Sequence, residues 1–233
     1  MLQDIKDLYG NKVSALDGAI GHVKDFLVDR GTWAIRYVVV DTGPWLADRL
    51  VLLSPHALGR LDQYEKTLHV KLIKPQIELG PALEVHQPIS REHEMACHQH
   101  YGWPAYWNAG AAWGVNDKAG LPSRPNGKAQ TQLPPANPTL ESTQSLAGFR
   151  IQTEKGTIGT LSGFTVFDRT WIICDLIVAP GAWYAGNDIR VSPDQIRQID
   201  HQDSSVLINL TKSDMQWTTG KVLTQAWAGK SSI

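Results

Sequence analysis

Residues 8–77 of the chain align with residues 146–215 at a constant offset of 138, without a gap, and 19 of the 70 paired positions are identical. Identity at one fixed offset reads as an internal duplication, and it restricts the chain to folds built from two copies of one small unit. The matched residues are those that shape turns and cores: Gly10 with Gly148, Gly18 with Gly156, Ile20-Gly21 with Ile158-Gly159, Trp33 with Trp171, Gly43 with Gly181, Trp45 with Trp183, and Ser54-Pro55 with Ser192-Pro193. Divided on this basis, the 233 residues give a first domain over 1–85, a linker over 86–140, a second domain over 141–215 and a tail over 216–233. Repeats this small bury thin cores. They favour packing against each other as an intrachain pseudo-dimer, or against a second chain as a homo-oligomer.

Each repeat reads as short strands separated by Gly-centred turns. In the first, residues 12–14, 20–28, 33–41, 50–53 and 68–72 have strand character, strongest over 33–41, where β-branched and aromatic residues dominate. Asp17-Gly18, Asp29-Arg30-Gly31-Thr32 and Thr42-Gly43-Pro44 turn the chain. Ser54-Pro55 has the form of a helix N-cap followed by proline, sufficient for one turn. The second repeat keeps the pattern over 158–166, 171–178, 189–191 and 206–210. The expected fold class is all-β: two small β-barrels joined by a linker that is part helical and part disordered. Gly18, Gly21, Gly43, Gly156, Gly159 and Gly181 are assigned to turns, since no phosphate-binding glycine motif contains them.

Charge is almost balanced, 22 basic residues against 23 acidic, and no Lys/Arg block exceeds two, which argues against nucleic acid as a partner. Cys97 and Cys174 form no Cys-x-x-Cys pair, and the amino terminus has no signal-peptide core. No apolar run approaches transmembrane length. The expectation is a cytoplasmic protein without a disulfide framework.

The repeats differ in charge. Asp25, Asp29, Arg36 and Asp41 of the first become Gly163, Phe167, Cys174 and Ala179 in the second. Antiparallel pairing around the Asp29–Thr32 turn would bring Asp25 and Arg36 near one rung, either as a surface ion pair or as a face for a protein partner. The linker adds Tyr101, Trp103, Tyr106, Trp107 and Trp113, five large aromatics in 13 residues; they would cover a barrel edge or form a contact surface, of which Trp103, Tyr106 and Trp107 are the candidates. Before them, a helix capped by Ser90 would set His93, Cys97 and His100 on one face within about 60°, a ligand set suited to zinc, while His98 would point elsewhere. No nucleophile accompanies the carboxylates, so no enzyme activity and no cofactor are expected. Residues 115–139, rich in Pro, Asn, Gly and Ser, read as a tether.

The run Gly10-Asn11-Lys12-Val13, then Asp17-Gly18-x-Ile20-Gly21-x-Val23-x-Asp25-Phe26-x-x-Asp29, then Trp33-x-Ile35-Arg36-Tyr37-Val38-Val39-Val40-Asp41-Thr42-Gly43 resembles the PRC-barrel family. That family is named for the cytoplasmic domain of the photosynthetic reaction-centre H subunit and includes the carboxy-terminal domain of the ribosome maturation factor. The second repeat resembles it less closely. The resemblance implies two small barrels and a habit of binding other proteins, with stand-alone bacterial PRC-barrel proteins as the nearest arrangement. The reading that follows is a non-catalytic interaction or adaptor protein with protein partners. The alternatives are a peripheral component or assembly factor of a photosynthetic or electron-transfer membrane complex, and a metal-binding protein using the linker His/Cys cluster.

Overall fold

The computed structural model describes residues 1–83, 89–108, 140–154, 156–181 and 188–209. The chain forms two compact units: Met1–Gln144 with Val166–Ile173, and Ser145–Thr165 with Cys174–Ile233. Both are built mostly of strands.

The first unit contains β1 (Leu2–Asp4), β2 (Lys12–Ala15), β3 (Gly18–Asp29), β4 (Ile35–Asp41), β5 (Leu50–Leu53), β6 (Leu58–Asp62), β7 (Thr67–Val70), α1 (Lys74–Glu78), α2 (Arg91–Tyr101) and β8 (Leu140–Ser142). Its hydrogen-bonded path runs β5-β4-β3-β2-β7-β6, with β8 added to β3. All neighbours are antiparallel except β2 and β7. The expected closed barrel is therefore corrected to a sheet with an open seam, because β5 and β6 are consecutive in the chain but are not paired. Between them the Pro55–Ala57 3-10 turn intervenes, capped by Ser54, whose side chain accepts from His56 N. Pro55 has no N–H to offer a ladder, and the Ala57 carbonyl is taken by Lys71 N at 2.7 Å.

β4 explains where the helix sits. Ile35 to Val40 are all buried, the pattern of a strand covered on both faces. Val38, Val39 and Val40 suit such a position, whereas Arg36 and Tyr37 carry polar tips into it and must find partners. The register with β3 slips between Leu27 and Val28, opposite Tyr37 and Ile35, so Arg36 sits at a bulge. α2 begins at Ser90, whose hydroxyl accepts from His93 N at 3.2 Å, and ends at Gly102 in the left-handed conformation (φ 70°). Its position is held further by His100 Nε2, which donates to the Gln76 carbonyl of α1 at 2.7 Å.

Two matched glycines are required by backbone proximity. A Cβ on Gly21 (φ 146°) would stand 2.0 Å from the Asp41 carbonyl oxygen, and one on Gly159 would stand 2.1 Å from that of Ala179. Gly18, Gly43 and Gly156 have positive φ as turn residues do, and Gly181 N donates to the Ile158 carbonyl. The matched tryptophans also share a backbone state, Trp33 at φ 55° and Trp171 at φ 53°, so each lies in a turn rather than in the strand expected to start there. Trp171 stacks on Phe26 at 6.1 Å within the first unit.

The second unit holds α3 (Thr143–Leu146, shared with the first unit), β9 (Arg150–Thr153), most of β10 (Gly156–Phe167) and of β11 (Ile172–Pro180), β12 (Ile189–Val191), β13 (Ile196–Asp200) and β14 (Ser205–Ile208). Its path is β12-β11-β10-β9-β14-β13, again open between two consecutive strands. Ile151, Ile158, Phe164, Val178 and Val206 are buried in it. Among the described residues no helix is long and apolar enough to cross a membrane. The expected tether over 115–139, Trp113, and the tail after 215 lie outside the described residues.

Candidate functional site

The polar side chains of β4 and α2 meet in one buried cluster. Arg36, 3% exposed, donates through Nη2 to Asp29 Oδ2 at 2.8 Å and to Thr32 Oγ1 at 3.1 Å, and through Nε to Asp29 Oδ2 at 3.2 Å. Its Nη1 has no hydrogen-bond partner among the described residues, and the guanidinium lies 4.1 Å from the Tyr106 ring centroid, a cation–π contact. Next to it Tyr37, fully buried, places its hydroxyl 2.9 Å from Glu94 Oε1 and 2.9 Å from His98 Nε2. Glu94 is 0% exposed and also accepts from Tyr106 Oη at 2.6 Å and from Arg91 Nη1 at 2.5 Å. His98 Nδ1 donates to the Pro104 carbonyl at 3.0 Å.

Aromatic rings close the cluster. His98 meets Trp107 at 4.7 Å and Trp103 at 5.7 Å between ring centres, and Arg91 lies over the Trp107 ring at 4.7 Å. Tyr101 stacks on Trp103 at 4.3 Å. Tyr106 and Trp107 are half-buried, whereas Trp103 is buried.

Burial controls the electrostatics. It raises the Glu94 carboxyl above the usual carboxylate range, against the opposing pull of Tyr106, Arg91, Tyr37 and Arg36. It lowers His98, and it raises the hydroxyls of Tyr37 and Tyr106 well beyond their ordinary value, Glu94 adding to both. The Cys97 thiol is pushed up to about 12 by burial and by Glu94. A thiol so held is a poor nucleophile. In the native protein Cys97 is expected to resist alkylation by iodoacetamide at mildly alkaline pH while half-buried Cys174 is modified first. Mass mapping of partially labelled protein reads the order, and early labelling of Cys97 would contradict it.

Several expected site residues are engaged inside the unit. Arg36 pairs with Asp29, not with Asp25: the turn extends through Trp33 so that Val28 faces Ile35, and, with the bulge that follows, Asp25 comes opposite Val39. Asp25 instead accepts from Thr143 Oγ1 at 3.0 Å, from Gln144 N at 3.1 Å and from Ser142. Asp41 accepts from Gly43 N and faces Lys24 Nζ at 3.5 Å. The helix expected after Ser90 is present, but His98 faces the cluster, while Cys97 is buried beside it and His100 reaches α1. Among the described residues no three His, Cys, Asp or Glu side chains converge as a metal-holding group. Tyr37, Arg91, Glu94 and His98 were not expected as site residues. The signal was their spacing: Arg91, Glu94 and His98 follow one another at i, i+3 and i+7, one helix face that is polar yet inward, while Met95 is 53% exposed.

The first unit is thus a small mixed sheet with a helix docked on the polar side chains of β4, next to its β5 edge. Residues 4–77 match the PRC-barrel domain, a kind of domain that in general mediates protein interactions. None of the curated proteins compared matches the chain.

Proposed function

We propose that the protein is a non-catalytic interaction module that binds a protein partner through its PRC-barrel unit. The match of residues 4–77 to that domain is the observation that carries the reading. The half-buried rim formed by Tyr106 and Trp107 around Arg91 supplies the contact surface, since Tyr, Trp and Arg are the side chains that dominate binding energy at interfaces. The second unit is a diverged copy of the first, a reading supported by the fixed sequence offset and the equivalent strand path.

Affinity purification of the tagged full chain from soluble and membrane fractions tests this. The wild type is expected to retain one defined partner at high salt, and Trp107→Ala to lose it with unchanged circular dichroism. Recovery of the protein alone at both salt levels would sink the proposal. Arg36→Ala should act differently: with Arg36 buried against Asp29, the substitution is expected to cost about 2 kcal/mol of stability, less than for a fully buried pair because Asp29 is partly exposed. Urea unfolding measures it.

A further inference from the structure

The chain Glu94–Tyr37–His98 contains more hydrogen-bond contacts than the unprotonated groups can satisfy. The Pro104 carbonyl only accepts, so His98 Nδ1 carries hydrogen and Nε2, if the ring is neutral, offers a lone pair. At the other end Glu94 Oε1 and Oε2 accept from Tyr106 and Arg91. Tyr37 stands between, 2.9 Å from each of Glu94 Oε1 and His98 Nε2, with a single hydroxyl proton. With Glu94 ionised and His98 neutral, Tyr37 can donate to one neighbour only, and at the other contact two lone pairs face each other in a buried site.

One additional proton removes the conflict, and it can sit in two places. Protonated Glu94 donates to Tyr37 Oη while Tyr37 donates to His98 Nε2. Alternatively His98 Nε2 donates to Tyr37 Oη while Tyr37 donates to Glu94 Oε1. The two arrangements have the same composition and interconvert by moving two protons in the same direction along the chain. We propose that Glu94, Tyr37 and His98 together form a binding site for one proton, and that its occupancy holds α2 on β4.

The surroundings favour the arrangement with the proton on Glu94. Burial opposes both a carboxylate at Glu94 and an imidazolium at His98. Arg91 on α2 and Arg36 on β4 oppose charge on His98 and pull Glu94 the other way. Asp29 offsets Arg36, Tyr106 and Arg91 donate to Glu94, and the Cys97 thiol beside them is neutral. The remaining cover consists of the Trp103 and Trp107 rings.

The pH dependence follows from counting protons. Ordinary values are 4.5 for Glu94 and 6.5 for His98, so above 6.5 the unfolded chain holds no proton on either and the folded protein holds one. Docking of α2 then weakens as pH rises from there toward the folded value of the site, and changes no further once the site is empty. Between the two ordinary values each state holds one proton and the trio adds no slope. Below 4.5 the unfolded chain takes a second proton and stability falls.

Infrared and nitrogen NMR spectra of the full chain carrying carbon-13 glutamate and nitrogen-15 histidine test the site. Just above pH 6.5 the expected result is a glutamic acid carbonyl band that Glu94→Gln removes, with His98 neutral. An imidazolium at His98 with Glu94 ionised would place the same proton at the other end and equally support the site. Glu94 ionised and His98 neutral at that pH would overturn it. Above pH 6.5, amide exchange in α2 is expected to accelerate by up to about tenfold per pH unit beyond its intrinsic rise while the site still holds its proton, and the excess to level off once the site has emptied. Glu94→Gln, whose amide can donate to Tyr37 permanently, is expected to abolish that excess; an identical excess in the variant overturns the proposal. Because the glutamine is nearly isosteric, this arm does not depend on a variant that lacks the Tyr37 hydroxyl.

Discussion

Glu94→Ala is expected to lower the unfolding free energy by about 3–5 kcal/mol, read as a shift of the urea midpoint at constant slope. The carboxyl is fully buried and receives Arg91, Tyr106 and Tyr37. Truncation leaves the Arg91 guanidinium, which is only slightly exposed, and the Tyr106 hydroxyl without their acceptor, deprives Tyr37 of one of its two partners, and opens a cavity where the side chain was. Glu94→Gln keeps the volume and one acceptor and is expected to cost about 1 kcal/mol, within the range of a single neutral hydrogen bond. The contrast distinguishes the polar network from simple filling of space. Equal costs for the two variants would show that packing alone holds the helix.

Gly21→Ala is expected to cost about 3 kcal/mol or more, for a different reason. The new Cβ would be driven to 2.0 Å from the Asp41 carbonyl oxygen, and the adjacent Thr42 Cα would be at 2.8 Å. Neither atom belongs to a flexible side chain, so β3 and the end of β4 would have to separate. The left-handed φ adds its own penalty. Gly10→Ala is the control: φ is also positive, at 72°, but nothing lies within 4 Å, and only the conformational term of about 1–2 kcal/mol remains. Thermal unfolding of the two variants side by side measures the difference, and equal losses would show that φ rather than the Asp41 contact demands glycine at 21.

The strand framework was legible because its markers are local. Val38-Val39-Val40 and the Gly-centred turns required no knowledge of distant residues, and Ser90 followed by a helix needed only capping chemistry. Trp33 was misread as the first residue of a strand because its aromatic character suggests one, whereas its left-handed backbone is set by contacts with Asp29, whose carbonyl accepts from Trp33 N at 2.7 Å. The closed barrels were overestimated for a related reason: composition reveals strands, but closure depends on whether the two edge strands, β5 and β6, pair.

The site was much less visible. Arg36 reads as an exposed partner for Asp25 only if pairing starts at Trp33; the wider turn and the bulge set Val39 opposite Asp25 and leave Arg36 to Asp29. For α2, the face singled out was that of His93, Cys97 and His100, with His98 pointing elsewhere. Met95 is outside, and Glu94 and His98 are inside, because what they face is the hydroxyl of Tyr37 and not an apolar surface. Only the pairing of helix with strand identifies that acceptor and donor set, and the two are separated by more than fifty residues.

β8 has a topological consequence. Leu140–Ser142 pairs with Leu27, Val28 and Asp29 of β3, and Ser142, Thr143 and Gln144 converge on Asp25, so residues 140–144 are held in the first unit. Tyr106 and Trp107 anchor the chain in the same unit before residue 109. The residues on both sides of 109–139 therefore belong to one body. Severed within 109–139, the chain becomes a split protein, one fragment supplying six strands of the first sheet and the other its seventh. Reassembly of two such fragments, expressed separately and mixed, would depend on β8 finding the free half of β3.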